Sequence, residues 1–333
     1  MAYTAFLSAA IALITVFLTT PWLIRYLKRI GLVVKDLNKE NTPLVPLSGG
    51  LVVMAGILAG LMSFIFFRTF FPNIKGTLLL NGEALANLFA GILTILIITF
   101  VGFIDDLVIK SDHESSSGLK QWQKPLLTLA AAVPLMVVGA GHTTMGVPLL
   151  GEVDFGIIYP LLIIPVGVVG AANMINMLAG LNGMETGMGI IYIGSLGLYA
   201  FVNKSYIAAL IALITFSALI AFYYYNKFPA KILPGDSLTY LLGATIACIA
   251  ILGNVEKAAL IIAIPFFIEF ILKARSRFKA QSYGYYDSGK IKTKYEKIYS
   301  LTHIFMKGKH TEKQITYFMI GIEVLFSSII WLM

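Results

Sequence analysis

The sequence predicts an all-α, polytopic membrane protein of about ten transmembrane helices, forming a single domain over 1–333. Three observations predict it. Of 333 residues, 58% are hydrophobic and only 13% charged, a balance foreign to soluble globular chains. Apolar runs recur that are long enough to cross the ~30 Å hydrocarbon layer of a bilayer. The cations also fall unevenly among the segments joining those runs, as they do where charge sets orientation.

The runs lie near 4–24, 48–67, 86–104, 124–139, 157–178, 187–202, 205–224, 237–253, 257–272 and 314–332. If the chain starts outside, 21 of its 25 Lys and Arg lie in or beside five inner segments, about 25–47, 105–123, 179–186, 225–236 and 273–313. Only Arg68, Lys75, Lys204 and Lys257 remain outside. The positive-inside rule therefore places both termini outside. The net charge of +8 then follows from anionic headgroups, and no nucleic-acid partner is expected. Met1 to Ala10 has no basic leader, so the first run reads as a retained helix rather than a signal peptide. Cys248, the only cysteine, reads as a packing residue, with no disulfide framework.

Along the chain, the first inner segment carries Lys35-Asp36-Leu37-Asn38-Lys39, then Pro43, Pro46 and Gly49-Gly50. Proline and paired glycine make it a turn-rich connector. The third run ends in Gly102-Phe-Ile-Asp105-Asp106. Adjacent carboxylates repel and oppose the dipole at a helix C-terminus, so the pair asks for a cation or another compensating partner. Lys110, Lys120 and Lys124 follow, beyond a Ser115–Gly118 patch that reads as flexible. Segment 139–156 alternates small and β-branched residues and reads as an outer hairpin.

The fifth run ends in the most informative stretch, Asn173-Met-Ile-Asn176-Met-Leu-Ala-Gly180-Leu-Asn182-Gly-Met-Glu185. Its asparagines share a helix face until the glycines terminate the helix. Tyr223, Tyr224 and Tyr225 form an interfacial aromatic belt. Asp236, after Pro234-Gly235, has the position of a helix N-cap. Glu269 and Glu323 fall in apolar runs, and Glu323 reads as satisfied within the bundle or protonated. The last inner segment is basic, interleaves Tyr283, Tyr285 and Tyr286, and contains His303.

Asp105, Asp106, Lys124, Asn173, Asn176, Asp236 and His303 thus share the inner face. Carboxylates with carboxamides form a hard-oxygen set suited to Mg²⁺ or Mn²⁺, while lysine and histidine neutralise diphosphate oxygens. Such a set suits phosphoryl transfer, where positioning and charge neutralisation do most of the work. Zinc ligand spacing and a Walker-type lysine loop are both absent. The alternative is a transporter or channel with a polar cytoplasmic site. That class places ionisable groups near the midplane of repeated halves, and these halves do not repeat. A CDP-alcohol phosphatidyltransferase would need an Asp-Gly-x-x-Ala-Arg helix, which the chain lacks.

Four motifs, Asp36-Leu-Asn-Lys39, Gly102-Phe-Ile-Asp-Asp106, the 173–185 stretch and Gly235-Asp236, resemble the polyprenyl-phosphate N-acetylhexosamine-1-phosphate transferases, glycosyltransferase family 4. The resemblance runs from about Asp36 to His303. It is strongest to the eukaryotic and archaeal UDP-N-acetylglucosamine–dolichyl-phosphate branch, whose Asn-x-x-Asn-x-x-Ala-Gly-x-Asn-Gly-x-Glu pattern is matched throughout. Bacterial wall enzymes have Asp where Ala179 and Asn182 stand. The resemblance implies that Asn176 and Asp236 ligate Mg²⁺ (or Mn²⁺) and that Asp105, Asp106, Lys124 and His303 are catalytic. It also implies that Leu37, Asn173, Gly180, Asn182 and Glu185 bind substrate. The implied partners are a UDP-N-acetylhexosamine, dolichyl or polyprenyl phosphate and membrane lipid, with a homodimer left open. The implied location is the cell membrane of an archaeon, with a cytoplasmic active site. Leu47 and Leu233 stand where eukaryotic members carry an acidic and an aromatic residue, and Thr302 and Ile304 flank His303 in place of arginines.

Overall fold

The computed structural model describes residues 2–71, 81–108, 119, 122–147 and 151–332. Twelve helices and three two-stranded hairpins are found among them. α1 (Ala2–Arg29) leads into the antiparallel pair β1 (Val33–Lys35) and β2 (Leu44–Pro46), then α2 (Gly50–Phe70) and α3 (Gly82–Leu107). Next come α4 (Gln123–Leu129), a 3-10 turn and α5 (Val133–Val137), then the hairpin β3 (Thr144–Val147) and β4 (Gly151–Asp154). One π-helical turn, Tyr159–Ile163, opens α6 (Ile164–Met177), followed by α7 (Met184–Val202), α8 (Tyr206–Asn226) and α9 (Gly235–Gly253). The chain ends with α10 (Glu256–Ile262), α11 (Ile264–Ala274), the hairpin β5 (Tyr285–Asp287) and β6 (Lys290–Lys292), and α12 (Glu312–Ile329).

All ten predicted runs are helical, but not all as single spans. Among the described residues, eight helices are long and apolar enough to cross a membrane. The run expected at 124–139 is a shorter apolar stretch, Gln123–Val137, broken by the 3-10 turn at Ala130–Ala132 before Pro134. The run expected at 257–272 is two helices meeting at Ala263, with Pro265 in the first turn of the second. Proline lacks the N–H that an unbroken helix would use there. The hairpin expected in 139–156 is present as β3 and β4. The Ser115–Gly118 patch, Lys75, Lys110 and Lys120 lie outside the described residues. The protein is an integral membrane protein with this helical bundle as its body.

α9 is the axis of the bundle, with 83% of its apolar window buried. It packs against α2, α3, α6, α7 and α8. Its first turn is closely approached, with Gly102 of α3 against the backbone of Asp236 and Ser237 and Gly50 of α2 against that of Ser237 and Leu238, leaving no room for a Cβ at either. Outward faces keep large apolar side chains such as Phe6, Leu18, Trp22 and Leu325 exposed, as expected where lipid rather than water is the solvent.

Candidate active site

The carboxylate pair at the end of α3 divides its work. Asp106 is 2% exposed, and its Oδ1 accepts the backbone N–H of Asp236 at 2.8 Å. Its Oδ2 accepts the Ser48 hydroxyl at 2.7 Å and the Ser237 N–H at 3.3 Å. The expected N-cap role of Asp236 is therefore corrected: Asp106, 130 residues earlier, satisfies the first amides of α9. Free N–H groups at a helix N-terminus attract a carboxylate, which answers why an acid pair ends α3. Gly235 makes the entry possible, since its φ of +71° suits glycine and a Cβ there would meet the Asp106 carboxylate.

Relieved of capping, Asp236 turns its carboxylate toward α4 and α6. Its Oδ2 lies 2.8 Å from Lys124 Nζ and 3.0 Å from Asn176 Nδ2. Asp105 Oδ2 lies 2.5 Å from the same ammonium, and its Oδ1 accepts Leu119 N–H at 2.5 Å. Lys124 thus stands between two carboxylates whose mutual repulsion it relieves. Asn176 Oδ1 accepts the Thr239 hydroxyl at 2.9 Å. Asn173 donates to Thr128 Oγ1 at 3.2 Å and to Val169 O at 2.8 Å, tying α4 to α6.

A second polar group surrounds the turn between α6 and α7. Gly180 has φ +124°; its N–H donates to Glu185 Oε1 at 2.5 Å, and its C=O accepts Asn38 Nδ2 at 2.8 Å. Asn182 Nδ2 donates to Asp36 Oδ2 at 3.0 Å, and its Oδ1 accepts Ala230 N–H at 2.8 Å. Both groups open on one cavity of about 950 Å³. Its polar end is lined by Leu37, Asn38, Gly180, Glu185 and Tyr283, and its middle by Asp105, Lys124, Asn173, Asn176 and Asp236. The remainder runs as an apolar groove past Val166, Ile246, Ala250, Ala263, Phe267 and Phe270.

Of the eleven residues singled out from sequence, ten line this cavity: Leu37, Asp105, Asp106, Lys124, Asn173, Asn176, Gly180, Asn182, Glu185 and Asp236. His303 is not among the lining residues. It is 1% exposed, stacked on Tyr295 at 5.3 Å, with Nδ1 accepting Tyr299 N–H at 3.3 Å and Nε2 facing Gln281 O at 2.9 Å. Burial pushes its pKa down to about 4, although the Gln281 carbonyl acts against this. The ring is therefore neutral, with its proton on Nε2. Beside it, Glu269 gathers Ser282, Ser300 and the Leu301 N–H, so the last long segment is knotted beneath the cavity wall.

Ser48, Thr239 and Glu312 were missed by sequence reasoning. Ser and Thr at a helix margin carry no distinctive spacing, and Glu312 reads only as an acid in a first helical turn.

The family model for glycosyl transferase family 4 matches residues 88–254, and so takes in both carboxylates of α3, Lys124, the 173–185 stretch and Asp236. The chain belongs to glycosyl transferase family 4. A relative from Saccharolobus solfataricus is 39% identical over 316 residues, covering 94% of this chain and 91% of the relative. One from Sulfolobus acidocaldarius is 35% identical over 325 residues, covering 96% and 93%. Both have the assigned name UDP-N-acetylglucosamine–dolichyl-phosphate N-acetylglucosaminephosphotransferase. A phospho-N-acetylmuramoyl-pentapeptide-transferase of Lactiplantibacillus plantarum is 36% identical over 172 residues, covering 51% and 53%. Within family 4, the chain is thus similar over nearly its whole length to the archaeal proteins and over half of it to the bacterial one.

Proposed function

We propose that this family 4 protein transfers N-acetylglucosamine 1-phosphate, or a related N-acetylhexosamine 1-phosphate, from its UDP-sugar to dolichyl or polyprenyl phosphate. The observation that carries this reading is the placement of Asp105, Lys124, Asn176 and Asp236 where the apolar groove meets the polar end of one cavity. A lipid phosphate requires that junction: its chain lies in hydrocarbon while its headgroup meets a water-soluble donor. The names of the archaeal relatives support the same donor and acceptor.

In this reading the acceptor chain lies along Val166, Ile246 and Phe267, with its phosphate at Asp105 and Lys124. An acceptor oxygen attacks the sugar-bearing phosphorus, the bond from that phosphorus to the bridging oxygen breaks, and UMP leaves with that oxygen. Lys124 neutralises phosphate charge during the transfer, and low local dielectric makes that neutralisation count. Asp105 orients Lys124 and the acceptor, while Asp106 fixes the start of α9 and so the aim of Asp236. Leu37, Gly180, Asn182 and Glu185 shape the end that receives the nucleotide. His303, through Gln281, holds the wall that continues to Tyr283.

A carboxylate and a carboxamide on facing helices are hard-oxygen donors that fit Mg²⁺ or Mn²⁺, with substrate phosphates supplying further oxygens. Among the described residues no group of three or more His, Cys, Asp or Glu could hold a metal. Asp236 and Asn176 would hold it. The ion, when bound, supplies charge stabilisation on the departing phosphate oxygens. We place the site on the cytoplasmic face, where most cations of the sequence fall. The test is UMP release by purified protein supplied with dolichyl phosphate, Mg²⁺ and a panel of UDP-N-acetylhexosamines. Release dependent on both lipid and metal supports the reading, and no release from any donor and lipid would sink it.

A further inference from the structure

α12 reaches the polar end of the cavity from outside the matched span of residues 88–254. Glu312, its first residue, is 3% exposed. Its Oε1 accepts the Asn182 backbone N–H at 2.7 Å, and Thr316, one turn on, donates its hydroxyl to the Asn182 carbonyl at 3.3 Å. The helix therefore grips both backbone polar groups of one residue, Asn182, in the turn between α6 and α7. A capping box of Thr311 and Gln314 fixes the start of α12, so the grip comes from a rigid end.

The other Glu312 oxygen pairs with Lys39. Lys39 also lies 3.5 Å from Asp36 Oδ2 and 4.1 Å from the centroid of the Phe228 ring. Asp36 in turn accepts the Asn182 side chain. The first inner segment, the segment after α8 and α12 meet at one ammonium, and the turn after α6 joins them through the bonds of Asn182 to Asp36 and Glu312. A buried ion pair contributes little net stability, because desolvation offsets attraction. What it does supply here is register between segments distant in sequence.

We propose that the Lys39–Glu312 pair, acting through Asn182, is a positioning device for the nucleotide half of the donor. The inference rests on the reading of the cavity as a UDP-sugar and lipid-phosphate site. The groove takes the lipid and the carboxylate cluster takes the phosphates, so the base and ribose fall to the remaining end, walled by Leu37, Asn38, Gly180 and Tyr283. Lys39 and Glu312 hold that wall together from behind and are remote from the groove. Loosening the pair shifts Gly180 and Leu37 relative to each other, and sub-ångström misplacement is enough to weaken binding.

The test uses the full chain in detergent and two readouts: calorimetric binding of UMP, and steady-state kinetics with UDP-N-acetylglucosamine and dolichyl phosphate. Glu312→Ala and Lys39→Met are expected to weaken UMP binding and raise the donor KM by about ten-fold. The acceptor KM and kcat should stay within about two-fold, and Lys39→Arg should restore the donor KM. If Glu312→Ala fails to fold, Glu312→Gln keeps an acceptor for Asn182 N–H and should show a smaller shift in the same direction. Equal losses in both KM values and kcat, or unchanged UMP binding, would overturn the positioning role. Wild-type protein that neither binds UMP nor consumes any UDP-sugar would instead remove the underlying reading, and this inference with it.

Discussion

The carboxylate of Asp106, at the end of α3, accepts the backbone N–H of Asp236, at the start of α9, at 2.8 Å. One acid thereby anchors the helix that presents another, and the two should fail differently. Asp236→Ala removes the group facing Lys124 and Asn176 and is expected to cut turnover by roughly 10²–10³-fold, on the scale of losing one stabiliser of developing charge. Its thermal midpoint should change little. Asp106→Ala uncaps α9 in a buried setting and should cost about 1–2 kcal/mol of stability as well as activity. Thermal unfolding in detergent beside UMP release separates the two.

Gly235 tests the same joint from the backbone. Its φ of +71° and its contact with Asp106 leave no place for a methyl group. Gly235→Ala should therefore lose about 1–3 kcal/mol, the usual cost of a forced backbone conformation, and lose activity with it. A Gly235→Ala protein with the stability and turnover of wild type would mean that the α3–α9 joint is looser than these contacts imply.

Lys124 lies 2.5 Å from Asp105 and 2.8 Å from Asp236, so its removal leaves two facing carboxylates without their cation. Lys124→Met should abolish measurable transfer, and chelation with EDTA should do the same to wild type. Added Mg²⁺ should rescue the chelated wild type but not the variant. Rescue of Lys124→Met by Mg²⁺ alone would show that the lysine only neutralises charge and has no separate role on phosphate.

The ten apolar runs were legible because hydropathy is a local property, and the 173–185 stretch because its residue types are unusual at a helix end. Asp105, Asp106 and Asp236 were legible as acids in odd places. Which of them caps α9 was not, since that depends on two helices meeting 130 residues apart. The break at Ala263 was hidden because Pro265 is tolerated in a first turn as readily as it ends a helix. Glu312 carried no signal, and the motif that holds Lys39 did not reveal its partner, because an ion pair spanning 273 residues exists only after folding. His303 was singled out by residue type, and residue type says nothing of whether a ring faces a cavity or lies beneath its wall.

That placement of His303 gives a prediction in pH. Burial holds its pKa down at about 4 in the folded protein, against about 6.5 for a free histidine. Between these values the unfolded chain binds a proton that the folded chain refuses, so stability falls as pH drops below about 6.5 and stops falling on this account near 4. His303→Gln, whose amide can still donate to Gln281 O, should flatten that acid limb. The thermal midpoint of wild type relative to the variant, followed from pH 7.5 to pH 5, measures the difference. The same variant addresses mechanism. A histidine that holds a wall leaves the pH profile of kcat unchanged when replaced by glutamine, whereas one that transfers a proton takes a limb of the profile with it. A lost limb in His303→Gln would put the ring in contact with the reacting groups and require the 281–303 segment to rearrange when substrate binds.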